Sequence, residues 1–192
     1  MPDSDSSDQI SNTRYHKPIV NTSLTLPIPV VDGGTALDLC MMVLGVGPGD
    51  EVITTPLTFV CTATCASARG AKIVFADIDP DTLNLNPAKV RTKISGRTKA
   101  IIPVHFGGLA ADVEAFAKIT NDTGVPVIYD AAHAVGARRN GSPIGGAGRA
   151  SCYSFQSNKN MTTAEGGMLV VADPIVEQFS SDLDSGLVIS AT

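Results

Sequence analysis

The chain has 192 residues, a length that suits one domain with a substantial core. Its 14 Lys and Arg stand against 19 Asp and Glu, a net charge of -5, which excludes a general binder of the nucleic-acid backbone because that affinity rests on a basic footprint. At 43% apolar and 17% charged the chain is not disordered, and with 5% aromatic residues and no Trp its core must be aliphatic and Ala-rich.

In chain order, residues 1 to about 30 are polar and Ser/Asp-rich, then punctuated by Pro18, Pro27 and Pro29 without a sustained period. They read as a polar tail or arm, taken as residues 1–32. From Gly33 short apolar runs alternate with Ala-rich segments. Thr35–Val46 is predicted as a buried helix, Glu51–Thr54 as a strand, Phe59–Arg69 as a helix and Lys72–Ala76 as a strand. Pro87–Ile94 reads as a short helix opened by proline, Lys99–Val104 as a strand, Ala111–Thr123 as a helix and Val125–Tyr129 as a strand. Strands recur near Ser151–Phe155 and Met168–Val171. Strand and helix alternating at this spacing imply an α/β fold, with a mostly parallel sheet and helices on both faces. Ligands then collect beyond the carboxyl ends of the strands.

The four cysteines form no C-x-x-C pair, and Cys61 and Cys65, at i and i+4, read as buried thiols on one helix face. The N-terminus carries no apolar signal region, and no run of 18 apolar residues occurs. The expectation is a cytoplasmic protein without membrane contact, and no metal site is read.

The chemistry-bearing residues gather after the apolar runs. Asp130 closes VPVIYD and is followed by Ala131, Ala132 and His133, although an aspartate there also serves as a turn cap. Lys159 lies in SFQSNKN, a stretch otherwise without charge until Glu165; shielded in this way its ammonium form is disfavoured, which suits covalent attachment to a carbonyl, although a surface lysine fits too. Gly33, Gly34 and Thr35 precede the first buried helix, where free N–H groups and the macrodipole attract an anion, although an N-cap by Thr35 is equally compatible. The cluster Gly145–Gly148 reads as a plain loop, and the G-x-G near Gly45 fails as a nucleotide fingerprint because Pro48 and a strand replace the required helix. An anion-binding helix start, the aromatic Phe59, the carboxylate Asp130, the hydroxyl of Ser154 and the amine of Lys159 together suit one cofactor, pyridoxal 5'-phosphate (PLP). Its phosphate wants N–H groups and hydroxyls, its ring an apolar face, its pyridine nitrogen a carboxylate and its aldehyde a lysine.

The stretches GDEVITTPLTFVCT, GRTKAIIPVHFGG, DAAHAVGA and SFQSNKNMTTAEGGMLVV closely resemble the DegT/StrS family of PLP-dependent nucleotide-sugar aminotransferases, in the family's order, over roughly Gly33 to Ala172. The resemblance implies a fold-type I PLP-dependent transferase large domain over residues 33–172. Carried over by position, Lys159 corresponds to the lysine that holds the cofactor and shuttles the proton. Asp130 corresponds to the pyridinium partner, His133 to a residue beside the ring, Phe59 to the stacking aromatic, and Ser154, with the N–H groups of Gly34 and Thr35, to the phosphate site. A lysine at 159, where a dehydrating branch of the family has histidine, implies transamination from an amino-acid donor such as glutamate to a keto nucleotide sugar, for cell-surface polysaccharide or lipopolysaccharide. The resemblance also implies a homodimer.

Family members are longer, and the match stops soon after Ala172. Residues 173–192 are therefore expected to be a short tail, and the small C-terminal domain to be missing. The alternatives are a truncated remnant that at most binds PLP and a PLP enzyme of another reaction type.

Overall fold

Apolar side chains alternate along each central strand, and a computed structural model, which describes residues 25–172, shows where the two sets go. It contains β1 (Thr25–Val30), α1 (Gly33–Val43), β2 (Glu51–Thr54), α2 (Cys61–Ser67), β3 (Lys72–Phe75), α3 (Pro87–Arg91) and β4 (Thr98–Ile102). These are followed by α4 (Val113–Thr123), β5 (Ile128–Asp130), β6 (Arg138–Arg139), β7 (Ser142–Pro143), β8 (Ala150–Ser154) and β9 (Gly167–Ala172). Val52, Ala100, Ile102, Ile128, Cys152 and Leu169 face α1 and α2 in one cluster. Their neighbours Ile53, Ile101, Val127 and Tyr129 face the opposite way, into a cluster with Val90 of α3 and Phe116 and Ile119 of α4. The period-2 alternation thus feeds two cores, and helices cover both faces as expected.

The strands run in the order β1-β9-β8-β5 and β3-β2-β4. The two sets join where Ile101 pairs with Val127 and Val104 with Asp130, both parallel, with Asp130 donating its N–H to the Pro103 carbonyl at 2.9 Å. The pairs β2·β3, β2·β4 and β5·β8 are parallel, whereas β9 is antiparallel to both β8 and β1. The carboxyl ends of β2, β4, β5 and β8 therefore open on one edge.

The helices are placed by local chemistry. Asp112 caps α4 through the Ala115 N–H at 3.1 Å, and Gly124 ends that helix in the left-handed region. Asn86 caps α3 ahead of Pro87, the proline seen in the sequence at the helix start. Asn140 and Gly141, both at positive φ, make the tight turn between β6 and β7.

One expectation is corrected. Residues 25–30 were read as part of the polar arm, yet they form β1, paired in register from Thr25 opposite Ala172 to Val30 opposite Gly167. Pro27 and Pro29, two apart, put their missing N–H groups on the same side of the strand, which an outermost strand leaves unpaired. The prolines that argued against a strand thus fit an edge. The expected tails at residues 1–24 and 173–192 lie outside the described residues. Among the described residues no helix is long and apolar enough to cross a membrane.

Candidate active site

Two close backbone approaches build the site. A Cβ at Gly33 would lie 3.0 Å from the Ser154 Cβ, and one at Gly167 would collide with the backbone of Asp32. Glycine at both positions lets the start of α1 settle against the end of β8 and the beginning of β9. The helix start and the Ser154 hydroxyl thereby share one pocket of about 330 Å³. Loops after β2 (Thr58, Phe59), β4 (Val104), β5 (Asp130, His133) and β8 (Gln156, Asn158, Lys159) complete its wall, as the rule for strand carboxyl ends anticipates.

Asp130 closes β5 and is 4% exposed. Its Oδ2 accepts from the Thr62 hydroxyl at 2.7 Å and its Oδ1 from the Ala132 N–H at 3.1 Å. The carboxylate ties the turn after β5, as the capping reading expects, and also lines the pocket. Thr62 Oγ1 lies 2.7 Å from the Thr58 hydroxyl. With its single proton given to Asp130, Thr62 receives its second bond from Thr58, so two hydroxyls of the loop and α2 hold the carboxylate in place.

Gly34, Phe59, Asp130, His133, Ser154 and Lys159, all expected from the sequence, line this pocket together. Thr35 does not. Its N–H is taken by Asp32 Oδ1 at 2.7 Å, so the N-cap of α1 is Asp32 and not Thr35. Among the described residues the N–H groups of Gly33 and Gly34 have no intramolecular acceptor. Ser154 is buried, and its Oγ accepts from the Gln156 N–H at 3.4 Å, leaving its own proton to give.

Lys159 is only half-buried, because Gln156, Ser157, Asn158 and Asn160 around it are exposed, so the shielding expected from the sequence is partial. Its loop is held by the Thr163 N–H and the Thr162 hydroxyl, both donated to the Phe155 carbonyl, and by Asn160 donating to the Val135 carbonyl. His133 is exposed and meets the Phe106 ring edge-on at 6.3 Å. Partial burial, then the nearby Lys159 charge, lower its pKa and so favour the neutral ring. Phe59 lines the pocket, is 71% exposed and lies two residues before α2, not inside a helix as expected.

Sequence reasoning passed over Thr58, Thr62 and Asp32, and Cys61, expected as a buried thiol, is only half-buried. The two threonines sit at i and i+4 around the start of α2, a spacing that could have flagged them. Cys61 lines the pocket, and burial, then Asp130, push its thiol up to about 11, so it stays protonated at neutral pH. His105, after β4, is fully buried and stacks on Tyr129 at 4.8 Å; its Nδ1 accepts from the Ala111 N–H, and burial lowers its pKa to about 4.

A donor set for an anion, an anchored carboxylate and a lysine in one pocket fits a cofactor that carries a phosphate, a basic ring nitrogen and an aldehyde. The model of the DegT/DnrJ/EryC1/StrS aminotransferase family matches residues 25–185. The chain belongs to this family. A member's cofactor is PLP, and the Streptococcus pneumoniae protein Spr1654, 29% identical with a TM-score of 0.74, has been solved with PLP; the match covers 81% of this chain and 44% of that one. The structure of 3-amino-5-hydroxybenzoic acid synthase is 44% identical, with a TM-score of 0.77, over 81% of this chain and 40% of that one. The spore coat polysaccharide biosynthesis protein SpsC of Bacillus subtilis (strain 168) is 48% identical over 138 residues, 72% of this chain and 36% of its own length. The chain thus spans about 40% of the length of the relatives it matches. The fold is that of the fold-type I PLP-dependent transferases, and the family members are PLP-dependent aminotransferases.

Proposed function

We propose that this chain is the cofactor-binding part of a PLP-dependent aminotransferase that moves an amino group from an amino-acid donor such as glutamate to a keto nucleotide sugar. The observation that carries the reading is that Lys159 and Asp130 line one pocket together with the donor-rich start of α1. PLP, when bound, supplies an electron sink conjugated to the reacting carbon. The N–H groups of Gly33 and Gly34 and the Ser154 hydroxyl would hold its phosphate. Asp130, oriented by Thr62 and Ala132, would keep a proton on its ring nitrogen, and Phe59 and His133 would stand beside its ring. Lys159 Nζ would hold its aldehyde and, once released, would take and return the proton at the substrate carbon. The working enzyme is proposed to act in the cytoplasm as a homodimer and in cell-surface polysaccharide synthesis; the last of these alone is supported by the name of the SpsC relative.

The test is titration of the protein with PLP followed by borohydride reduction and peptide mapping. A visible absorption band and a cofactor label on Lys159 are expected, both lost in Lys159→Ala. That variant should also slow conversion of bound PLP to its amine form by glutamate about 10²–10⁴-fold, the span of a lost general acid–base. Absence of both band and label from the native chain sinks the reading.

A second reading follows from one observation: the neighbour that is 44% identical is named for an aminohydroxybenzoic acid, not a sugar. On that reading the acceptor is a cyclic ketone carrying a carboxylate. Offering the loaded protein a 4-keto nucleotide sugar and such a ketone in parallel separates the two.

A further inference from the structure

The start of α1 already carries an anion of its own. Asp32 Oδ1 accepts from the Thr35 N–H at 2.7 Å, and the Asp32 carbonyl accepts from the Ala36 N–H at 3.3 Å. Asp32 also lines the pocket beside Gly33, Gly34 and Ser154. Serine, threonine or asparagine would make the same cap, so capping accounts for the side chain's shape but not for its charge. A carboxylate here is stabilised by the helix dipole and by the first-turn amides when no other anion is present. An incoming phosphate seeks those same partial charges.

Asp32 is itself exposed, but its carboxylate stands close to the Gly34 backbone. A Cβ added at Gly34 would stand 3.3 Å from Asp32 Oδ1 and 3.7 Å from the Cys61 Cβ, so the groups crowd one corner of the pocket. The charge is felt across that corner, since Asp32 adds to burial and Asp130 in raising the Cys61 thiol. An anion bound at the Gly33 and Gly34 amides cannot avoid it.

We infer that Asp32 is an affinity-setting residue: its carboxylate opposes the phosphate of the cofactor at the start of α1 and so holds PLP and its amine form more weakly than the rest of the pocket would. The inference rests on the cofactor reading above. It concerns the phosphate alone, so the aldehyde, the ring and the chemistry at Lys159 are untouched. Pyridoxal, the same ring without phosphate, is indifferent to Asp32.

Asp32→Asn tests this because it keeps the cap and removes the charge. PLP and its amine form should bind about 5-fold tighter to the variant, the order expected for relieving a like-charge contact at an exposed site. Pyridoxal affinity should not change. The inhibition constant of inorganic phosphate against PLP, corrected for the tighter PLP binding, should fall by about the same factor. Asp32→Ser serves as a second variant, and the thermal midpoint of each without cofactor reports whether the cap survives. Equal or weaker PLP binding in variants of preserved midpoint overturns the inference while leaving the cofactor reading intact. Equal tightening of pyridoxal overturns it as well, because the effect would then not reside in the phosphate. If neither the native chain nor the variants develop the Lys159-dependent band, the cofactor reading itself falls, and this inference falls with it.

Discussion

Two carboxylates, Glu51 at the start of β2 and Asp130 at the end of β5, are each 4% exposed at opposite ends of one sheet. Burial alone does not tell them apart; their partners do. Glu51 receives the Ser95 hydroxyl at 2.7 Å and two N–H groups of Arg97, with the Lys72 ammonium 3.6 Å away. Asp130 receives one hydroxyl and one amide, and no cation lies within ion-pair distance of it among the described residues. A carboxylate has about four acceptor positions. Those of Glu51 are consumed by the fold, whereas Asp130 is oriented by its two bonds and keeps capacity for another donor from the pocket. Glu51 is saturated where it sits, whereas Asp130 is held in place with acceptor capacity to spare.

The strongest way to break that contrast is Asp130→Asn. The side chain still accepts from Thr62 and its shape is retained, so the fold should persist and PLP should still bind. The negative charge opposite the ring nitrogen is gone, and glutamate-driven conversion of bound PLP to its amine form should slow about 10²–10³-fold, as for loss of a placed electrostatic stabiliser. Stopped-flow absorbance on the loaded protein measures it. An unchanged rate would mean that Asp130, like Glu51, is only structural.

Much of this contrast was legible in the sequence, for identifiable reasons. Asp130 stands out in the sequence because it ends an apolar run, and the end of a strand in a parallel sheet is where ligands sit. Lys159 stands out because its neighbours lack charge, and both line the one pocket. Glu51 also borders an apolar run, but at its amino end, and its partners Ser95 and Arg97 lie more than forty residues away, which no local pattern records. The Thr58–Thr62 support of Asp130 is likewise a contact between a loop, a helix and a distant strand. The cap of α1 was misplaced by three residues because Asp32 and Thr35 are both good caps, and only the pairing of the Thr35 N–H decides between them. The edge strand β1 was missed because its prolines are poor strand residues everywhere except at an edge.

A smaller effect sharpens the Glu51 side. The Ser95 hydroxyl, then Arg97, hold its carboxyl down at about 2, against an ordinary value of 4.5. A folded pKa below the unfolded one means that this stabilisation is whole above pH 4.5 and is lost as pH falls from there toward 2, because the unfolded chain takes up the proton first. Glu51→Gln should therefore lower the thermal midpoint by a few degrees at neutral pH, and the gap from the native chain should narrow through that acid window. Cofactor affinity at neutral pH should stay as it was. Calorimetry across the pH range reads the first, and PLP titration the second. A gap that stays constant into acid would show that the ion pair with Arg97 does not govern stability at this end.

The smallest effect separates placement from packing among the few rings the chain has. Phe59 is 71% exposed and Phe75 is 49% exposed, so truncating either to alanine removes little buried area and should change stability by no more than about 0.5 kcal/mol. They differ in that Phe59 lines the pocket, whereas Phe75, at the end of β3, does not. An exposed phenyl ring over a pocket has a face to offer a bound ring, and a stacked pair contributes about 0.5–1.5 kcal/mol beyond area, or roughly 2- to 13-fold in affinity. Phe59→Ala should weaken PLP within that range, with Phe75→Ala equal to the native chain. Because pyridoxal offers the same ring without the phosphate, Phe59→Ala should weaken it by the same factor, which sets this position apart from Asp32. Equal losses from both phenylalanine variants would show that the effect travels through the fold, not through contact with the cofactor.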